Sequence, residues 1–201
     1  MMKRYGVWVA ASLLVVILPQ IFDSGFAVTM MSEMCIAIIF ALSYNMLLGQ
    51  GGMLSFGHAV FYGFGGFIAI HAIKLVNDGA SVIPLELIPL VGGVAGFLFA
   101  LLLGYISTKK AGTTFALISL GLVELVVACV LLFPSFFGGE EGVSADRMLD
   151  YSITGFGFGS GIEVFYLIAF WMVIATALMY LQTQTPLGRM ANAVRDNPER
   201  A

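Results

Sequence analysis

The stretch GTTFALISLGLVELVVACVLLF, residues 112–133, holds one charged side chain, Glu124, in 22 positions. A helix rises about 1.5 Å per residue, so about 20 apolar residues cross a hydrocarbon core of roughly 30 Å. A barrel strand would alternate apolar and polar residues over about ten positions, and this stretch does not alternate. It reads as a membrane-spanning helix. Five more stretches read the same way: residues 5–22, 26–48, 54–75, 87–107 and 164–184. The expected architecture is an all-α, polytopic transmembrane bundle of six spans over residues 1–184, with a polar external loop at 134–161 and a cytoplasmic segment at 185–201.

Composition points the same way. Of 201 residues, 60% are hydrophobic and 10% charged, against about 25% charged in a soluble domain. The chain lacks the polar surface to face water, and its partner is the lipid bilayer. The N-terminal MMKRYGVWVAASLLVVILPQ resembles a signal peptide but is followed by no convincing small-x-small cleavage site, so it reads as a retained first helix. Cys35 and Cys129 sit in apolar runs without Cys-x-x-Cys spacing and read as small buried side chains. No metal site, cofactor or nucleic-acid partner is expected.

Positive charge orients the spans. With the N-terminus cytoplasmic, the inside segments hold Lys3, Arg4, Lys109, Lys110, Arg189, Arg195 and Arg200, leaving only Lys74 and Arg147 outside, which is seven of nine inside. The external loop is rich in Gly, Ser and acids, suiting either partner docking or a solvated connector.

Between lipid-facing helices, association relies on small residues that let backbones approach. Gly92, Gly96, Ala100 and Gly104 recur every four residues on the fourth span, and Ser55, Ala59 and Gly63 do so on the third. Ahead of the third span lies LLGQGGMLSFGHAVFYGFGG, residues 47–66. It misses the third glycine of a dinucleotide fingerprint and the Gly-Lys-Ser/Thr of a P-loop. Ser55 and His58 have no neighbouring acid to complete a catalytic triad. The remaining reading is geometric: Gly49, Gly51 and Gly52 interrupt the helix, as a short cytoplasmic turn or a re-entrant element, with Asn45, Gln50, Ser55 and His58 gathered around the break.

Ionisable groups inside spans usually face protein. Glu124 shares a helical face with Gly121 and Ala128, and Glu33 shares one with Thr29, Ala37 and Ala41. Both are expected to point inward, either lining a pathway or bonding one helix to another. Asn45, Ser55, His58 and Glu124 are the candidate pathway residues. After the last span, Pro186 can open a helix on which Leu187, Met190, Ala191 and Val194 recur at helical spacing. Such an amphipathic helix suits a groove on a partner protein.

Four stretches together carry a resemblance: ALSYNMLLGQGGMLSFGHAVFYGFGGFIA (41–69), AGTTFALISLGLVEL (111–125), FFGGEEGVSA (136–145) and TPLGRMANAVRDNPERA (185–201). In this order they resemble the membrane-spanning permease subunits of ABC importers for branched-chain amino acids, in the branch that also takes amides and urea. The resemblance implies a second permease subunit, two cytoplasmic ATPase subunits that hydrolyse the ATP, and a periplasmic substrate-binding protein. It also implies that residues 185–201 form the coupling segment seated on the ATPase, with Gly188, Arg189, Ala193, Arg195 and Asp196 matching its pattern. Permeases of this kind continue for several spans beyond that segment, so the sequence is expected to be a fragment or a truncated form. An ion-gradient-driven carrier or channel and a non-transporting scaffold are the competing readings.

Overall fold

The computed structural model describes residues 2–110, 112–147, 152, 153, 155 and 158–196. Among them every regular element is helical: α1 (Met2–Ile21), α2 (Gly25–Asn45), α3 (His58–Asn77), α4 (Ile88–Ser107), α5 (Thr113–Leu132), the single turn α6 (Pro134–Phe137), α7 (Gly161–Gln184) and α8 (Pro186–Asp196). A π-helical turn, Met46–Gln50, extends α2, and a 3-10 turn, Leu85–Leu87, leads into α4. Five helical stretches among the described residues are long and apolar enough to cross a membrane: Gly25–Gln50, His58–Asn77, Leu85–Ser107, Thr113–Leu132 and Gly161–Gln184. The 20-residue α1 occupies the stretch read as the first span.

Capping explains where two of these helices start. The Ser24 hydroxyl accepts from the Ala27 amide at 3.3 Å to open α2, and Ser160 does the same for Glu163 at 3.3 Å to open α7. Each satisfies a backbone donor that a helix cannot satisfy itself.

Side-chain pairs give the running directions. Val28 packs near Gly161 at the start of α2 and α7, and Asn45 and Thr183 line one cavity at their other ends, so these two helices are parallel. Trp8 meets Tyr180 edge-on at 5.4 Å, and the Tyr166 hydroxyl donates to the Val16 carbonyl at 3.2 Å, so α1 runs against α7. Gly65 faces Gly92 while Gly96 faces the Phe61 carbonyl, which makes α3 and α4 antiparallel. The π turn, the start of α3, the starts of α1 and α5 and helix α8 therefore share one end of the bundle. The links α1–α2, α3–α4 and α5–α7 share the other.

Two cores follow. Phe165, 1% exposed, packs with Val28, Cys35, Ala169 and Met172 between α2 and α7. Ala72, Val76, Leu85, Ile88 and Phe158 form the second at the far end of α3 and α4. The segment after α5 is not a free connector in its described part. Phe158 inserts into that second core, the Asn77 amide donates to the Asp146 carbonyl at 2.9 Å, and the Ser152 hydroxyl donates to the Glu86 carboxylate at 2.7 Å. His71 Nε2 reaches the Phe136 carbonyl at 2.7 Å and so ties α6 to α3.

The α3–α4 seam corrects one expectation. Ser55 lies before α3 begins, Ala59 is exposed, and a Cβ on Gly63 meets nothing within 4 Å among the described residues. The chain is not yet helical at Ser55, so four-residue spacing counted from there lands on the wrong side of α3. The seam uses Phe61, Gly65 and Ala69, two positions further on, against Gly92 and Gly96. A Cβ on either Gly65 or Gly92 would come within 2.8 Å of the other's carbonyl oxygen. Farther along α4, Ala100 is half-buried, and a Cβ on Gly104 meets nothing within 4 Å among the described residues.

Gly65→Val pushes two backbones apart and is expected to cost about 1–3 kcal/mol, read as a lower melting temperature in detergent. Gly66→Val, one position away where a Cβ meets nothing within 4 Å among the described residues, is expected to leave the melt unchanged.

Candidate functional site

The break after α2 is built from three close approaches. Gly52 adopts φ +67, and its amide donates to the Leu48 carbonyl at 3.0 Å while the Met53 amide donates to Leu47 at 3.2 Å. This nested pair is one residue wider than the usual Schellman ending, as a π-helical last turn requires. A Cβ on Gly49 would collide with the Asn45 carboxamide. One on Gly51 would lie 2.8 Å from the Leu47 carbonyl, and one on Gly52 would lie 2.6 Å from Cγ of Arg195. The helix break read from Gly49, Gly51 and Gly52 thus begins later than expected: Gly49 is still helical, and the non-helical connection lies between Gln50 and His58.

That connection is pinned as a wedge. The Phe56 amide donates to Ser119 Oγ at 3.0 Å, Ser119 Oγ donates to the Ala116 carbonyl at 2.7 Å, and the Gly57 backbone packs on the Ser119 carbonyl. Ser55 is 4% exposed beside it. On the opposite side His58 Nε2 lies 2.8 Å from Ser43 Oγ, which is also 2.8 Å from the Phe40 carbonyl. A hydroxyl has one proton. With Ser43 donating to Phe40, the imidazole donates from Nε2. Phe40 and Tyr44 flank the ring edge-on at 5.2 and 5.5 Å. Residues 54–58 therefore join α2 to α5, and Ser43 and Ser119, which sequence reasoning did not single out, are the partners that hold them.

The candidate pathway residues fall in three places. Asn45 and Gln50 line a cavity of about 210 Å³ between α1, α2 and α7, together with Trp8, Leu42, Thr176 and Tyr180. Ser55 and His58 lie in the wedge between α2 and α5. Glu124 is exposed, and so are Gly121 and Ala128 beside it. The inward orientation expected for Glu124 within this chain is therefore corrected. Helix α5 meets the rest of the chain through Phe115, Ala116 and Ser119, so the Gly121–Glu124 face is turned away. Glu33 is exposed on α2 with Thr29, Ala37 and Ala41, for the same reason: α2 spends its Val28 and Cys35 face on α7.

Helix α8 joins α7 through a tight elbow. Thr185 Oγ1 donates to the Gln182 carbonyl at 2.6 Å and accepts from the Gly188 amide at 3.2 Å. Pro186 supplies the first residue of the helix, where a missing N–H costs nothing. Gly188 is buried against the Gln182 carbonyl with no room for a side chain. One face of α8 turns to the break. Asn192 Nδ2 donates to Gln50 Oε1 at 2.6 Å, and Arg195 donates from Nη1 to the Gly49 carbonyl. The Asp196 carboxylate accepts from Arg195 Nε at 2.8 Å and holds the fork in place. The other face is open: Leu187 is 66% exposed, Met190 65% and Val194 50%, and Arg189 and Ala193 are exposed as well. Of the residues expected to couple to a partner, Gly188 shapes the elbow and Arg195 faces its own chain. Asn192 was missed, although its three-residue spacing from Arg195, away from the Leu187–Met190–Val194 stripe, marks a second face.

Among the described residues no group of three or more His, Cys, Asp or Glu side chains is placed to hold a metal ion. A family model described as branched-chain amino acid transport system / permease component matches residues 26–201. No curated protein and no solved structure matches the chain.

Ser43→Ala and His58→Ala are each expected to cost about 0.5–1.5 kcal/mol, measured by thermal unfolding in detergent. The double variant should cost less than the sum of the two, because both remove the same bond, and His58→Ala alone should exceed Ser43→Ala because it also loses the ring contacts with Phe40 and Tyr44. Ser32→Ala, whose hydroxyl bonds only the Val28 carbonyl of its own helix among the described residues, serves as the comparison and is expected to melt close to the parent.

Proposed function

The chain belongs to the family of permease components of branched-chain amino acid transport systems, and from that membership we propose that it is one membrane-spanning subunit of an ATP-driven importer for branched-chain amino acids or related small amides. In this reading it supplies part of the pathway, a second permease subunit supplies the rest, and two ATPase subunits bind at the α8 end. A periplasmic binding protein delivers substrate at the opposite end.

The observation that carries this reading is α8. It is an amphipathic helix whose apolar stripe, Leu187, Met190 and Val194, is exposed while its polar side is tied to the bundle. A stripe at that spacing fits a groove on a partner protein. Cytoplasmic placement of this end is supported by Lys109 and Lys110 after α4 and by Arg189 and Arg195 on α8. A second membrane subunit is supported by the two carboxylate faces. A charged side chain toward lipid costs roughly 2.5–3.5 kcal/mol at mid-span, and Glu33 and Glu124 are both exposed among small residues that admit a close helix.

The test uses the permease expressed with its partner subunits. Replacing Met190 and Val194 by Asp is expected to abolish co-purification of the ATPase subunits and to lower uptake of labelled leucine about tenfold or more (a loss of about 1.4 kcal/mol or more in coupling), with membrane levels of the permease unchanged. Uptake that persists without any ATPase and collapses with a protonophore would overturn the reading.

A further inference from the structure

We infer that Gln50 and Asn192 form the linkage that ties the position of α8 to the shape of the cavity between α1, α2 and α7. The inference rests on the proposed docking of α8 on an ATPase and adds what receives its movement inside the permease.

Three observations meet at one turn. First, the Gln50 side chain serves two structures at once. Its carboxamide oxygen accepts from Asn192 Nδ2 at 2.6 Å, and the same residue lines the cavity wall beside Asn45. Second, Arg195 takes the Gly49 carbonyl, one of the last-turn carbonyls that a helix leaves without a partner. A cation at this end also meets the negative pole of the helix dipole. Gly52 lies against the Arg195 stem, so the loop following the turn is seated on α8 too. Third, the turn held in this way is π-helical. π and α turns differ by one residue of hydrogen-bond register, so passing from one to the other means exchanging backbone hydrogen-bond partners. Releasing Gly49 and Gln50 from α8 lets the turn rewind, and rewinding re-aims Gln50 relative to the cavity. Movement of α8 is thereby converted into a change in a polar group on the cavity wall. Asn192 and Gln50 are positioning residues in this scheme; neither performs chemistry.

The experiment uses the complete complex reconstituted in vesicles, with binding protein and leucine inside the assay. The readout is ATP hydrolysed per leucine moved. Asn192→Ala is expected to raise that ratio about fivefold or more, as loss of a coupling energy of about 1 kcal/mol does. Gln50→Met, which keeps the length but not the acceptor, is expected to raise the ratio as well. The Gln50→Met, Asn192→Ala double variant should equal either single one. An unchanged ratio in Asn192→Ala with uptake and hydrolysis both intact overturns the linkage and leaves the importer reading standing. A fall in uptake with the ratio unchanged also overturns it, because that is what a merely structural role gives. Failure of the parent complex to couple ATP hydrolysis to leucine uptake overturns the importer reading itself.

Discussion

Two apolar helices gain nothing by leaving lipid for one another, so the bundle depends on how closely backbones can approach. Gly65 and Gly92 set that limit. Each occupies the space where the other's side chain would be, with carbonyl oxygens 2.8 Å from the position of the missing Cβ. The α3–α4 pair built on this contact carries the Phe158 core at one end and, through the start of α3, the wedge at the other. The α2–α7 pair is built differently, around one large side chain, Phe165, with small and medium residues around it. A seam of glycines and a seam around one phenylalanine meet at one end through His58 with Ser43, and at the other through Trp171, whose indole donates to the Glu86 carbonyl at 3.2 Å, with Val164 and Leu167 against the Phe158 core.

The contact of His58 with Ser43 lies at a place where the chain cannot be regular. Between Gln50 and His58 the backbone leaves one helix and enters another, and its polar groups need partners wherever water is scarce. Ser119 on α5 takes the Phe56 amide, Arg195 on α8 takes the Gly49 carbonyl just ahead of the segment, and Asn192 on α8 and Ser43 on α2 hold the side chains of Gln50 and His58 at its two ends. The irregular segment is thus tied to three other elements. Its glycines do not make it loose; they let other groups come near.

Helices were legible in the sequence because an apolar run of about 20 residues has few other uses. The stretch at 112–133 and helix Thr113–Leu132 differ by one residue at each end. Phase was harder to read. Ser55, Ala59 and Gly63 have the right spacing for a seam, but spacing holds only inside a helix, and α3 starts at His58. Facing was harder still. Hydrophobicity distinguishes inside from outside in water, yet here lipid-facing and protein-facing surfaces are both apolar, so nothing local reported that Glu124 and Glu33 turn away from this chain. The break was visible from its glycines. Its partners were not, because Ser119 and Arg195 lie 63 and 146 residues from the groups they bind.

The elbow at Thr185 gives α8 a mechanical property. The turn is held at Gly188 by a buried backbone contact and by Thr185, so any tilt of the helix beyond it would pivot about this one point. Arg195 sits nine residues past Pro186, about 13 Å along the rod. A tilt of about 10° then displaces the guanidinium by about 2 Å, from a bonded distance to none. Below that angle the hydrogen bonds stretch and pull back; beyond it they are gone. A smooth push on such a rod would therefore meet a threshold, and the lever arm between Pro186 and Arg195 would set how far the helix could tilt before these bonds part.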